Sequence, residues 1–220
     1  MRGAQNYVEV YDIIHPLQPM EKPRPLRTTG FYHRQQELGG YFLEASGYER
    51  PHWYESNKDL VAKFPSPARD EWTAQYWSPI VGAESQYVRE NVGLFDITAL
   101  KRIEVSGKGA LEFLMEQTTG KLDKAPGSVT YCLMLTKSAG ILSDVTVTRL
   151  GENEFMIGAN GAVDVARLQK VAPDTVFVKD VTAGTVGLGL FGPHARKVVE
   201  KLTNVDVSNE AFGYFKAKSL

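Results

Sequence analysis

SVTYCLMLTKSAGILSDVTVT, Ser128 to Thr148, holds two strand-like runs around a break at Lys137 to Gly140. Val129, Tyr131, Leu133 and Leu135 alternate with smaller or more polar neighbours, the period of a half-buried strand. After the break, Asp144, Thr146 and Thr148 alternate with Val145 and Val147, so period two puts Asp144 on the polar face of the second strand. The stretch predicts an antiparallel hairpin with a carboxylate early in its return strand and an aromatic across from it. On pattern alone Asp144 is either a solvated strand residue or a group that addresses a polar ligand.

Working outward, the chain after Ser78 reads as strands alternating with helices. Helices are predicted over 82–91 and 161–170, and Ser106 can cap another whose apolar face is Ala110, Leu111 and Leu114. A further helix opens at Gly192-Pro193, with Ala195, Val198, Val199 and Leu202 on one face. Strands are predicted over 101–105, 128–135, 142–150, 154–159, 175–178 and 186–191. The pattern is α+β with largely antiparallel strands. The front of the chain differs: seven of the eleven prolines fall in residues 1–75, which shortens regular elements there. Tyr, Trp and Phe are common in the same segment, so it reads as an irregular strap that lies on another surface. Within it, 34–42 suggests a short helix stopped by Gly39-Gly40, and 68–76 a helix after Pro65-Ser66-Pro67.

Composition excludes several functions. Hydrophobic residues make up 43% of the 220-residue chain and charged residues 23%, enough for a soluble core. Net charge is −1 and evenly spread, with nine Lys/Arg against ten Asp/Glu in residues 1–75 and sixteen against sixteen beyond. No basic stripe exists, which argues against nucleic acid and anionic membrane. No apolar run is long enough for a membrane span, and the first residues lack a secretory apolar core. A cytoplasmic location follows, or the mitochondrial matrix in a eukaryote. Cys132 is the only cysteine and reads as a small buried hydrophobe, while His15, His33, His52 and His194 lie far apart, so no metal site is expected. No G-x-G-x-x-G follows a strand and no phosphate loop exists, so these residues offer no obvious way to hold a flavin or nucleotide.

Further motifs run in order along the chain. They are Tyr87-Val88-Arg89, Val92-Gly93-Leu94-Phe95-Asp96-Ile97-Thr98, Val105-Ser106-Gly107-Lys108-Gly109-Ala110, Pro126-Gly127, Tyr131 and Gly140-Ile141-Leu142-Ser143-Asp144. Gly158-Ala159-Asn160 and Leu190-Phe191-Gly192-Pro193-His194-Ala195-Arg196 complete them. In order and spacing they resemble the folate-binding aminomethyltransferase family, which includes the glycine cleavage T-protein. Earlier segments, Tyr11-Asp12-Ile13-Ile14-His15-Pro16, Arg24-Pro25-Leu26-Arg27, Phe31-Tyr32-His33-Arg34-Gln35 and Gly47-Tyr48-Glu49-Arg50-Pro51-His52-Trp53-Tyr54, are similar to the join between the flavoprotein and folate-binding halves of dimethylglycine and sarcosine dehydrogenases and oxidases.

The resemblance implies an aminomethyltransferase-type fold, with residues 1–75 as the tail of a flavoprotein central domain plus a connecting strap and 76–220 as the N-terminal part of a folate-binding domain. It implies Asp144 as the catalytic carboxylate and Tyr131, thirteen positions earlier, in the same folate pocket. Asn160 would bond the folate's polar edge. The residues themselves leave open an ordinary sheet aromatic and an ordinary turn Asn. The implied reaction moves a one-carbon unit from a methylated amine to tetrahydrofolate, FAD being present only with an upstream flavoprotein subunit or domain. Alternatives are a stand-alone aminomethyltransferase or demethylase, and a non-catalytic subunit that binds folate or docks on a flavoprotein. Thr119-Gly120 departs from the family's usual Thr-Asn, and Thr148 stands where an aromatic is often found. The family's later "YTGE.GYE" segment is not in the sequence, which implies a folate domain present in part.

Overall fold

Proline density keeps the elements of the front segment short. In the computed structural model, which describes residues 2–219 apart from the side chain of Arg2, helix α1 (Arg2–Glu9) leads into irregular chain up to α2 (Tyr32–Glu37). The short helix expected within 34–42 is present and stops just before Gly39-Gly40, as the glycine pair implied. Gly39 turns the chain at φ +71°, and the Tyr41-Phe42 pair continues as strand β1 (Gly40–Ala45), antiparallel to β2 (Tyr48–Tyr54). Cross-strand packing holds the strand beyond the glycines, where Tyr41 stacks on Trp53 with ring centroids 3.9 Å apart. A 3₁₀ helix (Glu55–Ala62) follows.

The helix expected over 68–76 shrinks to α3 (Glu71–Ala74), a single turn whose N–H groups at Trp72 and Thr73 are capped by Asp70. Next comes α4 (Pro79–Glu90), with Ser78 as N-cap and proline at its first position, and then β3 (Gly93–Asp96). The chain forms two compact units, of which the first takes the residues up to Ala99 together with Leu188–Ala195.

The second unit, Leu100–Gly187 and the residues from Arg196, is built on five strands. Its elements are β4 (Lys101–Ser106), α5 (Ala110–Gln117), β5 (Val129–Leu135), β6 (Ile141–Arg149), β7 (Glu154–Ala159), α6 (Ala162–Val171) and β8 (Phe177–Asp180). The strand order is β5-β6-β7-β4-β8, every neighbour antiparallel. One sheet face carries Ile103, Val105, Cys132, Met134, Val145, Val147, Phe155 and Ile157, packed with Phe113 and Leu114 of α5 and Val165 and Leu168 of α6. Each large side chain buried this way contributes roughly 1.5–3 kcal/mol. Ser106 ends β4 and caps nothing; α5 starts after Gly109 at φ +89°. Gly107, at φ +111°, makes the turn, where any Cβ would collide with the Thr175 carbonyl oxygen.

Strand β9 (Leu188–Phe191) returns the chain to the first unit and pairs antiparallel with β3, Gly93 opposite Phe191 and Asp96 opposite Leu188. The following helix α7 (Ala195–Val199) is shorter than expected. Leu202 lies beyond it, 79% exposed, so it forms no part of a buried helix face. The architecture is α+β, with antiparallel sheets and packed helices that follow an irregular, proline-rich N-terminal segment in the chain.

Candidate functional site

The β5–β6 hairpin sets the geometry of the site. Its register places Leu133 directly opposite Asp144 and Tyr131 opposite Thr146, so Tyr131 approaches Asp144 on the diagonal. The Tyr131 hydroxyl donates to Asp144 Oδ2 at 3.2 Å. From the end of β7, the Asn160 amide reaches the same carboxylate: Nδ2 donates to Asp144 Oδ1 at 2.9 Å and to its backbone carbonyl at 3.0 Å. The structure thus joins all three sequence-predicted residues in one hydrogen-bonded group, with each carboxylate oxygen of Asp144 held by a different partner. That bond to the carboxylate, more than slight burial, raises the Tyr131 phenol above its usual pKa.

Alternation identified strand β5 without revealing which of its faces the helices cover. Cys132 and Met134 are buried, whereas Tyr131 is 54% exposed and shares the open face with Leu133. On β6, Leu142 and Thr146 lie on the same face as Asp144. The open face therefore offers a carboxylate set among an aromatic ring and aliphatic side chains. Cys132, 3% exposed, is a buried hydrophobe as expected, and burial pushes its thiol pKa up. Gly120 lies against it: a Cβ at that position would stand 2.9 Å from the Cys132 Cβ, so the strand pair leaves no room for a side chain there.

One participant was not anticipated from the sequence. Asp164, 5% exposed, sits at the third position of α6, and its Oδ2 accepts from Ser143 Oγ at 3.0 Å, Gly161 N at 3.2 Å and Asn160 N at 3.3 Å. An acidic residue three positions after a helix N-cap is the signal that points to it. Asp96, the other carboxylate in a matched motif, accepts from Thr29 Oγ1 at 2.5 Å, Gln35 Nε2 at 2.9 Å and Thr98 N at 3.0 Å, which ties together separate segments of the first unit. That unit also has a cavity of about 610 Å³ bordered by Tyr54, Glu84, Tyr87 and Phe95. Burial, helped by Asp96 and Glu84, pushes the Tyr54 phenol up to about 12. None of the three predicted site residues lines this cavity. Among the described residues no group of three or more His, Cys, Asp or Glu is placed to hold a metal, and no helix is long and apolar enough to cross a membrane.

Comparison with known proteins extends this geometry. Residues 31–220 match the family described as the GCVT N-terminal domain, and residues 1–29 match the FAD dependent oxidoreductase central domain. The chain is 32% identical over 218 residues to 4-methylaminobutanoate oxidase (formaldehyde-forming) of Paenarthrobacter nicotinovorans, a match covering 97% of this chain and 26% of that protein. It is 27% identical over 201 residues to human mitochondrial dimethylglycine dehydrogenase, covering 88% of this chain and 22% of the relative. The chain thus spans about a quarter of the length of these curated relatives. Among solved structures, the glycine cleavage system aminomethyltransferase T of Bartonella henselae superposes with a TM-score of 0.63 at 28% identity, over 80% of this chain and 43% of that one.

Proposed function

This chain belongs to the GCVT N-terminal domain family, and on that footing we propose that it serves folate-dependent one-carbon transfer in a dimethylglycine or sarcosine dehydrogenase-like protein. The observation that carries the reading is the carboxylate of Asp144, held on an open face by Tyr131 and Asn160. A flat heteroaromatic ligand with a polar edge fits such a face, since the Tyr131 ring, Leu133 and Leu142 supply apolar surface around one fixed carboxylate. Tetrahydrofolate, when bound, supplies the nucleophilic ring and arylamine nitrogens.

Asp144 stabilises positive charge where it develops on the transferred unit. A preorganised carboxylate needs no rearrangement during the reaction. Tyr131 and the flanking leucines pack the ligand and exclude water, and Asn160 fixes the orientation of the carboxylate. Supply of the one-carbon unit from a methylated amine falls to a flavoprotein subunit or domain, which would also hold FAD. The match of residues 1–29 to an oxidoreductase central domain favours this over a stand-alone transferase. Residues 1–75 then act as the tail of that flavoprotein part and its connecting strap, and 76–220 as the folate-binding part.

The test is Asp144→Asn, which keeps size and shape but deletes the charge. Calorimetry of the chain with tetrahydrofolate should show binding for the wild type. Transfer from a methylated amine to tetrahydrofolate, assayed together with the flavoprotein part, should fall in the variant by on the order of a hundredfold. Near-normal turnover with folate binding intact overturns the assignment.

A further inference from the structure

Asp144 sits on an open strand, where a carboxylate ordinarily wanders among rotamers. Its chief restraint is Asn160, whose amide spans Asp144 Oδ1 and the Asp144 carbonyl and also approaches Ser143 Oγ at 3.4 Å. Asn160 stands in the short link between β7 and α6, chain with no ladder bonds of its own to hold it. That link is clamped from below by one buried group. Asp164 Oδ2 collects the backbone N–H groups of Asn160 and Gly161 and, from the neighbouring strand, the hydroxyl of Ser143. Ser143 immediately precedes Asp144 and points to the covered side of β6, as Asp144 points to the open one.

We propose that Asp164 is a positioning residue: it clasps the Asn160 link to the Ser143 strand, and through Asn160 it sets the orientation of the Asp144 carboxylate. The inference rests on the reading of Asp144 as the functional group, but the clasp itself is testable without folate. A bare helix-capping role would account for the bond to Gly161 N, because an acid at the third helical position returns to the N-cap amide. It would not account for the Ser143 hydroxyl, twenty-one residues earlier and in another strand. Nor would it require that a single oxygen gather all three donors. Burial sharpens the point at the Ser143–Asp164 bond, which is buried where the two N–H bonds are part-buried, so a hydroxyl left unpaired there carries a desolvation penalty.

The distinguishing experiment separates cap from clasp. In ¹⁵N-labelled chain, the two side-chain amide protons of Asn160, identified by their loss in Asn160→Ser, should be well separated and slow to exchange. In Asp164→Ala they should converge toward free-amide positions and exchange faster by on the order of tenfold, while Phe155 and Ile157 backbone amides stay protected. A second substitution, Gly161→Ser, restores a helix cap on its own: a Cβ at Gly161 meets nothing within 4 Å, and its extended backbone suits an N-cap serine.

The double variant should recover thermal stability yet leave the Asn160 signals loosened. Recovery of the Asn160 signals along with stability overturns the proposal, because capping would then be the whole role. If Asp164→Ala does not fold, Ser143→Ala is the substitute. It leaves the cap intact, and because its hydroxyl also meets the Asn160 side-chain amide directly, the readout is the Asn160 backbone amide, whose exchange should quicken; unchanged exchange there overturns the proposal equally. Tetrahydrofolate titration adds the functional arm, with affinity expected to weaken roughly tenfold in the double variant. Unchanged affinity beside loosened Asn160 signals refutes the link to ligand binding. If the wild type itself does not bind tetrahydrofolate, the functional reading fails while the amide measurements still decide the clasp.

Discussion

Asp144 shows how little a strand carboxylate owes to its own position. Its two oxygens are oriented by a tyrosine two residues off the facing position and by an asparagine beyond the next strand. The Tyr131 bond has a measurable consequence, because donating to a carboxylate disfavours loss of the phenolic proton. Asp144→Asn should therefore bring the Tyr131 pKa down toward the ordinary tyrosine value, read as an earlier rise of tyrosinate absorbance in an alkaline titration. An unchanged Tyr131 titration would show that the hydroxyl does not bond to this carboxylate in solution. Asp96 makes the contrast. Its three bonds run to Thr29, Gln35 and Thr98, so its charge serves cohesion of the first unit.

At the scale of elements, β4 is the hinge of the second unit's sheet, pairing with β7 on one side and with the short β8 on the other. Four-residue β8 is further secured by an ion pair from Lys101 Nζ to Asp180 Oδ2 at 2.6 Å. Burial alone would raise the Asp180 pKa, but the bonds from Lys101 and Thr182 outweigh it and hold the carboxyl at about 2. A depressed carboxyl contributes its stability above the ordinary value of 3.8 and loses it as pH falls toward 2. Lys101→Met should consequently cost about 1 kcal/mol or less at neutral pH, the solvent around a pair this accessible screening most of the attraction. The difference between variant and wild type should shrink between pH 4 and pH 2, as followed by urea midpoints. A gap that persists through pH 2 would place the cost in lost packing of the lysine stem.

At the scale of the whole molecule, the first unit draws on distant stretches of chain. Glu84 of α4 accepts from Tyr54 N at 3.0 Å and Asn57 Nδ2 at 2.7 Å, and Gln35, 5% exposed, depends on Asp96. Residues 1–75 made alone would lose those acceptors, and each buried donor left unpaired costs roughly 1–3 kcal/mol. We therefore expect the isolated segment to show no cooperative thermal transition by circular dichroism; a sharp one would mean that it carries its own core. Much of this protein is legible in its sequence. Period two marked β5, β6 and β7 nearly to the residue, because alternation is a local property of backbone geometry. The same locality explains the misreading at Ser106, where a tight glycine turn decided the outcome. Sequence by itself determined the α+β class, the hairpin and the identity of Asp144, Tyr131 and Asn160 as candidates. Only tertiary structure decided which face of that hairpin the helices cover, that the three residues meet, and that Asp164 lies beneath them, since hydrogen bonds between strands and links depend on registers that no single segment encodes.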